Sequence, residues 1–197
     1  MRSLLWLAAM GLCSTPLLAA SPQGFSFAHK DWELACDNTG TCRAAGYGTT
    51  VGEVSVLLTR NAGAAQHVIA VATFAQTERD IPPDAAVNLF IDDRDHGPLE
   101  VADESHFRFD DTQTAALIQA LEHNGKIELA LNGERKTLSD AGSSAVFLKM
   151  DEFQRRLGTA DALLRQGDAG DDNILTAAPA PEIIAAPAVH DAATAPL

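Results

Sequence analysis

Trp32-Glu33-Leu34-Ala35-Cys36-Asp37-Asn38-Thr39-Gly40-Thr41-Cys42 is the stretch whose reading decides the fold. Up to Cys36 it alternates large apolar with polar or small residues, the period of a strand with one buried face. Asp37 to Thr41 are turn formers, and Asn and Gly take positive φ at little cost. In an oxidising compartment two cysteines this close form a disulfide, so the stretch predicts a hairpin stapled at its turn. Closing so short a loop contributes roughly 2–3 kcal/mol. The spacing suits neither a zinc knuckle nor a Cys-x-x-Cys redox pair, so Cys36 and Cys42 are read as structural.

Outward from the hairpin, the period of two continues. Val54, Val56 and Leu58 alternate with Ser55, Leu57 and Thr59, as do Val87, Leu89 and Ile91 with their neighbours, and Phe107 and Phe109 flank Arg108. His67 to Phe74 is more continuously apolar and suits the middle of a sheet. The period then changes. Thr112 to Asn124 predicts a helix with Ala115, Ile118, Leu121 and Leu117 on one face, acidic residues at its start and Gly125 as its stop. Ile127 to Leu131 and Glu134 to Leu138 flank Asn132-Gly133, a strong hairpin signal. A second helix is expected over 139–157, with Ala145, Leu148 and Phe153 among its apolar positions, and a short third one from Thr159 to Gly167. The predicted class is α+β: a β-rich, twisted antiparallel sheet or sandwich with two or three short helices in the C-terminal part.

The ends read differently. Arg2, the apolar Leu4–Leu12 stretch, Pro16 and small residues at Ala19-Ala20 predict a signal peptide over 1–20, which takes Cys13 with it. Residues 21–167 are expected to form a single globular domain, and the Ala/Pro-rich 168–197 a disordered tail or linker. The expected location is therefore the periplasm. The formal charge is −13, with no basic stripe, which argues against nucleic-acid binding. No apolar run approaches the roughly 20 residues of a transmembrane helix.

Several segments together resemble a known family: Lys30 to Ala44, Val54 to Gly63, Leu138 to Ala145, Met150 to Glu152 and Arg156 to Thr159. They are similar to the bacterial exported family catalogued as domain of unknown function 1176. The likeness covers most of 25–167 and is most specific in the first cysteine segment. The resemblance implies proteins about twice this length with further cysteines in a C-terminal half, and it brings no activity, cofactor or catalytic residue. In layout alone, the order of strands, helix, strand and a small-residue helix start is similar to the invasion-associated locus B family.

Candidate sites are sparse. Asp92 to Gly97 resembles a calcium loop, but Arg94 and His96 stand where oxygen ligands are required. The wider stretch 92–111 holds Asp92, Asp93, Asp95, Glu100, Asp103, Glu104, Asp110 and Asp111 around His96 and His106. His96, His106, Asp93 and Asp95 are its candidate metal ligands, although scattered like charges more commonly mark a wet face. Ser143 and Ser144 lack a nucleophile motif and read, with Ser139, as capping or close-packing residues. Lys149, Arg155, Arg156 and Arg165 make a modest basic group, balanced by acids on the same helices. Trp32 reads as core beside the disulfide. No catalytic triad, phosphate loop or zinc array occurs, so neither catalytic residues nor a cofactor are assigned. The favoured reading is a non-enzymatic interaction module of the envelope, partner unidentified; the alternative is a metal-binding protein or metal-dependent hydrolase using 92–111.

Overall fold

In the computed structural model, residues 23–74, 86–103 and 105–178 are described. The expected signal peptide, the chain beyond residue 178 and Glu104 lie outside them. The described residues form eleven strands and two α-helices. Both sheets are antiparallel, so the α+β expectation holds.

β1 (Phe25–His29), β2 (Trp32–Cys36), β3 (Cys42–Tyr47), β4 (Val54–Arg60) and β5 (Ile69–Phe74) follow one another across a seven-stranded sheet. β9 (His106–Arg108) and then β8 (Glu100–Val101) complete it. The second sheet has the order β11 (Glu134–Leu138), β10 (Ile127–Leu131), β6 (Val87–Ile91) and β7 (Arg94–Pro98). The apolar run at 67–74 does lie inside the large sheet, but one face of β5 is buried: Ala70, Ala72 and Phe74 point into the core.

The stapled hairpin is present, with Cys36 and Cys42 bonded and paired across β2 and β3. Asp37 organises its turn. One carboxylate oxygen accepts from the Thr39 and Thr41 N–H groups, and Arg43 donates to the other. Trp32 is core, edge-on to Phe147, and its Nε1 donates to the Ser139 carbonyl at 2.8 Å. Gly46 opposite has no room for a side chain, because a Cβ there would lie 2.3 Å from the Trp32 ring. The Asn132-Gly133 turn closes β10 on β11 with both residues at positive φ.

α1 (Asp111–Glu122) starts with a capping box in which Asp110 and Gln113 bond each other's backbone N–H groups. Its core face is Gln113, Thr114, Leu117, Ala120 and Leu121. Leu117 and Leu121 are as expected and Ile118 packs half-buried against the core, whereas Ala115 is exposed.

α2 is shorter than expected, Ser143–Phe153, and buries Ser143, Val146, Phe147, Met150 and Asp151 rather than Ala145 and Leu148. Residues 139–142 are held by the large sheet instead: Asp31 N–H donates to Ala141 O and Ser139 N–H to Tyr47 O. Gly142, at φ 103°, begins the helix where a Cβ would meet the His29 carbonyl at 2.0 Å.

The third helix is absent. Residues 158–169 are turns, because their backbone groups find partners elsewhere. The Leu164 N–H donates to the Asp151 carboxylate, and Thr159 pairs in parallel with Ala169. Nor does packing stop at Gly167. A short 3-10 turn, Asp171–Asn173, leads to buried Ile174, and the Leu175 N–H donates to Gln154 O.

Candidate functional site

Strand alternation puts Arg60, the last residue of β4, on the same buried face as Val54, Val56 and Leu58. Helical spacing puts Asp151 on the same stripe of α2 as Phe147 and Met150. The two meet in the core: Arg60 Nη2 donates to Asp151 at 2.6 Å, with side chains 1% and 0% exposed. Gln154 completes the join. Its Oε1 accepts from Arg60 Nε at 2.6 Å, while its Nε2 donates to the Gly40 and Arg60 carbonyls.

Beside this pair, fully buried Arg156 bonds Asp161 and the Gly63 carbonyl, and Thr159 Oγ1 donates to the other Asp161 oxygen. Two guanidiniums and two carboxylates thus balance. Burial pushes the Arg60 guanidinium down from its ordinary value, and Asp151 pulls it back up. For Asp161 burial acts upward, but Thr159, Arg156 and Arg60 prevail and hold it below the usual carboxylate value. Arg156 Nε has no acceptor among the described residues.

Arg60 and Asp161 of this network lie on the floor of a cleft of about 510 Å³. One wall is a single stripe of α1, with Thr114, Ala115, Ile118 and Gln119 between Asp111 at one end and Glu122 and His123 at the other. The facing walls are the β4–β5 loop, through Gln66, His67 and Val68, and the segment of Asp161 to Leu163 with Gln166. Ala115, expected in the core, therefore lines the cleft, and Ile118 reaches both the core and the cleft. The lining is mixed: an ion-paired floor, apolar residues on the walls, carboxamides on the rim and acids at the ends.

A model of the family described as a protein of unknown function (DUF1176) matches residues 26–196. The chain belongs to this family. The match extends beyond the resemblance read from the sequence, into the Ala/Pro-rich end. Among curated proteins, the uncharacterized protein YpfG of Escherichia coli (strain K12) is 29% identical over 183 residues. That alignment covers 87% of this chain and 49% of the relative, so the chain spans about half the length of the relative it matches. No solved structure matches. Neither the family match nor the relative supports the layout likeness to the invasion-associated locus B family.

In this DUF1176 chain the candidates in 92–111 are dispersed. Asp92 and Asp93 form the positive-φ turn between β6 and β7, a conformation Asp tolerates. Asp93 pairs with Lys126 and Arg135, which hold its carboxyl below the usual range. Asp95 accepts from Asn88 and the Gly97 N–H. His96 lies on β7 of the small sheet, whereas His106 lies on β9 of the large one and faces Asp103 at 2.7 Å. Among the described residues, no three His, Cys, Asp or Glu side chains are grouped to hold a metal.

Of the serines, Ser139 Oγ donates to Asp31, and buried Ser143 donates to the Leu121 and Asp140 carbonyls; Ser144 is exposed and gives α2 no side-chain cap. The basic group is split as well. Lys149 pairs with Glu152 along the helix, while Arg156 is buried in the network and Arg155 and Arg165 are exposed. Sequence reasoning passed over Arg60, Asp151 and Gln154. Their signal was parity: a charged residue on the apolar face of a strand, and two polar ones on the apolar stripe of a helix.

Proposed function

We propose that this chain is an exported envelope module that binds a partner rather than transforming a substrate. The observation that carries the reading is the cleft between α1 and the two facing segments. It is large enough for a ligand, and its floor groups Arg60 and Asp161 are already committed to structural ion pairs. A cleft built this way offers shape, hydrogen bonds and charge, the ingredients of recognition. The disulfide and the N-terminal sequence support a periplasmic location. Among the described residues no helix is long and apolar enough to cross a membrane.

The test uses tag-free protein expressed from its complete gene. It should be released with the periplasmic fraction, carry the Cys36–Cys42 crosslink in non-reducing mass spectrometry, and co-purify with one envelope component. Cytosolic retention with free thiols would overturn the location. Stoichiometric zinc, copper or manganese, lost on His96→Ala and His106→Ala substitution, would replace this reading by the metal-dependent one.

A further inference from the structure

Helix α1 has two apolar faces. Leu117, Ala120 and Leu121 serve the core. Ala115 and Ile118, on the neighbouring stripe, line the cleft together with Val68 and Leu163. The cleft wall runs from Asp111 to His123, which at about 1.5 Å per residue is roughly 18 Å. An extended chain rises about 3.3 Å per residue, so that length accommodates about five residues of a strand-like peptide.

The polar lining has the matching chemistry. Gln66, Gln119 and Gln166 each offer a carboxamide that both donates and accepts, the pattern a peptide backbone presents. Arg60 is 1% exposed and lines the floor. Its Nε and Nη2 are engaged at 2.6 Å, whereas among the described residues Nη1 has one long contact, 3.4 Å to the Asp161 carbonyl. A buried guanidinium edge is therefore left with donor capacity beside the cleft. Asp151 already neutralises its charge, so it suits a carbonyl oxygen better than an anion.

Charge decides the side chains of the occupant. Arg156 neutralises Asp161, as Asp151 neutralises Arg60. The carboxylates without a guanidinium or ammonium partner among the described residues are Asp111 and Glu122, near opposite ends of the wall, Glu122 having only His123 Nδ1 at 3.9 Å. An acidic ligand would be repelled at both.

We infer that the cleft along α1 binds an extended, basic segment of a partner protein: a peptide carbonyl on Arg60, apolar side chains against Ile118, Val68 and Leu163, and Lys or Arg at Asp111 and Glu122. This deepens the binding-module reading and rests on it.

The experiment titrates the full-length protein with two fluorescein-labelled pentapeptides, Lys-Leu-Ala-Leu-Lys and Glu-Leu-Ala-Leu-Glu, with amide NMR shifts mapping the contact. The basic peptide should bind at least about tenfold tighter and weaken with salt. Its shifts should fall on 66–68, 111–123 and 161–166. Glu122→Gln with Asp111→Asn should weaken it about tenfold, and Ile118→Ser should do so through the apolar wall. Asp103→Asn, on the exposed turn before β9, controls for general attraction to an acidic protein and should change nothing. Equal affinity for both peptides, shifts scattered over the surface, or Asp103→Asn as damaging as Glu122→Gln would overturn the assignment. If an envelope partner were still captured by the Ile118→Ser protein, this site would be wrong while the binding-module reading survived.

Discussion

The quartet of Arg60, Asp151, Arg156 and Asp161, buried except for Asp161, and the turn cluster in which exposed Asp93 pairs with Lys126 and Arg135 use the same chemistry in opposite surroundings. In the quartet the Arg60–Asp151 pair has side chains 1% and 0% exposed; in the cluster Asp93 is 69% exposed. Water and salt screen the second, and such pairs contribute little. In the first, Arg60 and Asp151 have given up their hydration and depend wholly on their partners. Burial, not residue type, separates an ion pair that organises the fold from one that decorates it.

The largest effect should come from breaking the buried pair on one side. Asp151→Ala strands Arg60 in the core and also removes the acceptor of the Leu164 N–H. It should cost about 3–5 kcal/mol in urea unfolding. Replacing both partners, Arg60→Met with Asp151→Leu, should recover most of that loss. A double variant as unstable as the single one would show that the network's hydrogen bonds, rather than its uncompensated charge, dominate.

Next comes the staple. Its turn is tied to the quartet because Gln154 donates to the Gly40 carbonyl. Cys36→Ala with Cys42→Ala should cost roughly 2–3 kcal/mol. The Trp32 fluorescence of the folded protein should shift as well, since Trp32 shares a strand with Cys36.

Acid gives a smaller, graded test. The fold holds Asp161 and Asp37 below the ordinary carboxylate value of 3.8. For Asp37 burial acts upward, and the Thr39, Arg43 and Thr41 hydrogen bonds outweigh it. A depressed folded value means the fold favours the charged form. Their stabilisation is therefore complete well above pH 3.8 and fades as the pH falls through the lower folded values. Unfolding midpoints should drop below about pH 4, and Asp161→Asn should flatten that drop. The smallest effect should be that of Asp93→Asn, which leaves the midpoint where it is even at low salt. A clear loss there would erase the contrast between the two clusters.

Much of this molecule was legible along the chain. The stapled hairpin, the Asn132-Gly133 turn and the alternation of Val54 to Leu58 are local signals, because turn chemistry and side-chain period act between near neighbours. The helix phases were less so. Exposed Ala115 was expected in the core because an apolar residue looks the same whether it meets the core or a cleft. A third helix was expected at 159–167 because its cap signal is local, whereas the Asp151 carboxylate that takes the Leu164 N–H is thirteen residues upstream.

By itself, the sequence determined the β-rich class, the disulfide hairpin and the family. Only the tertiary structure decided which charges are buried and which residues line the cleft. Arg60 and Asp151 are 91 residues apart. Whether a guanidinium and a carboxylate so far separated become a desolvated pair depends on the packing of a strand against a helix, which no local pattern encodes.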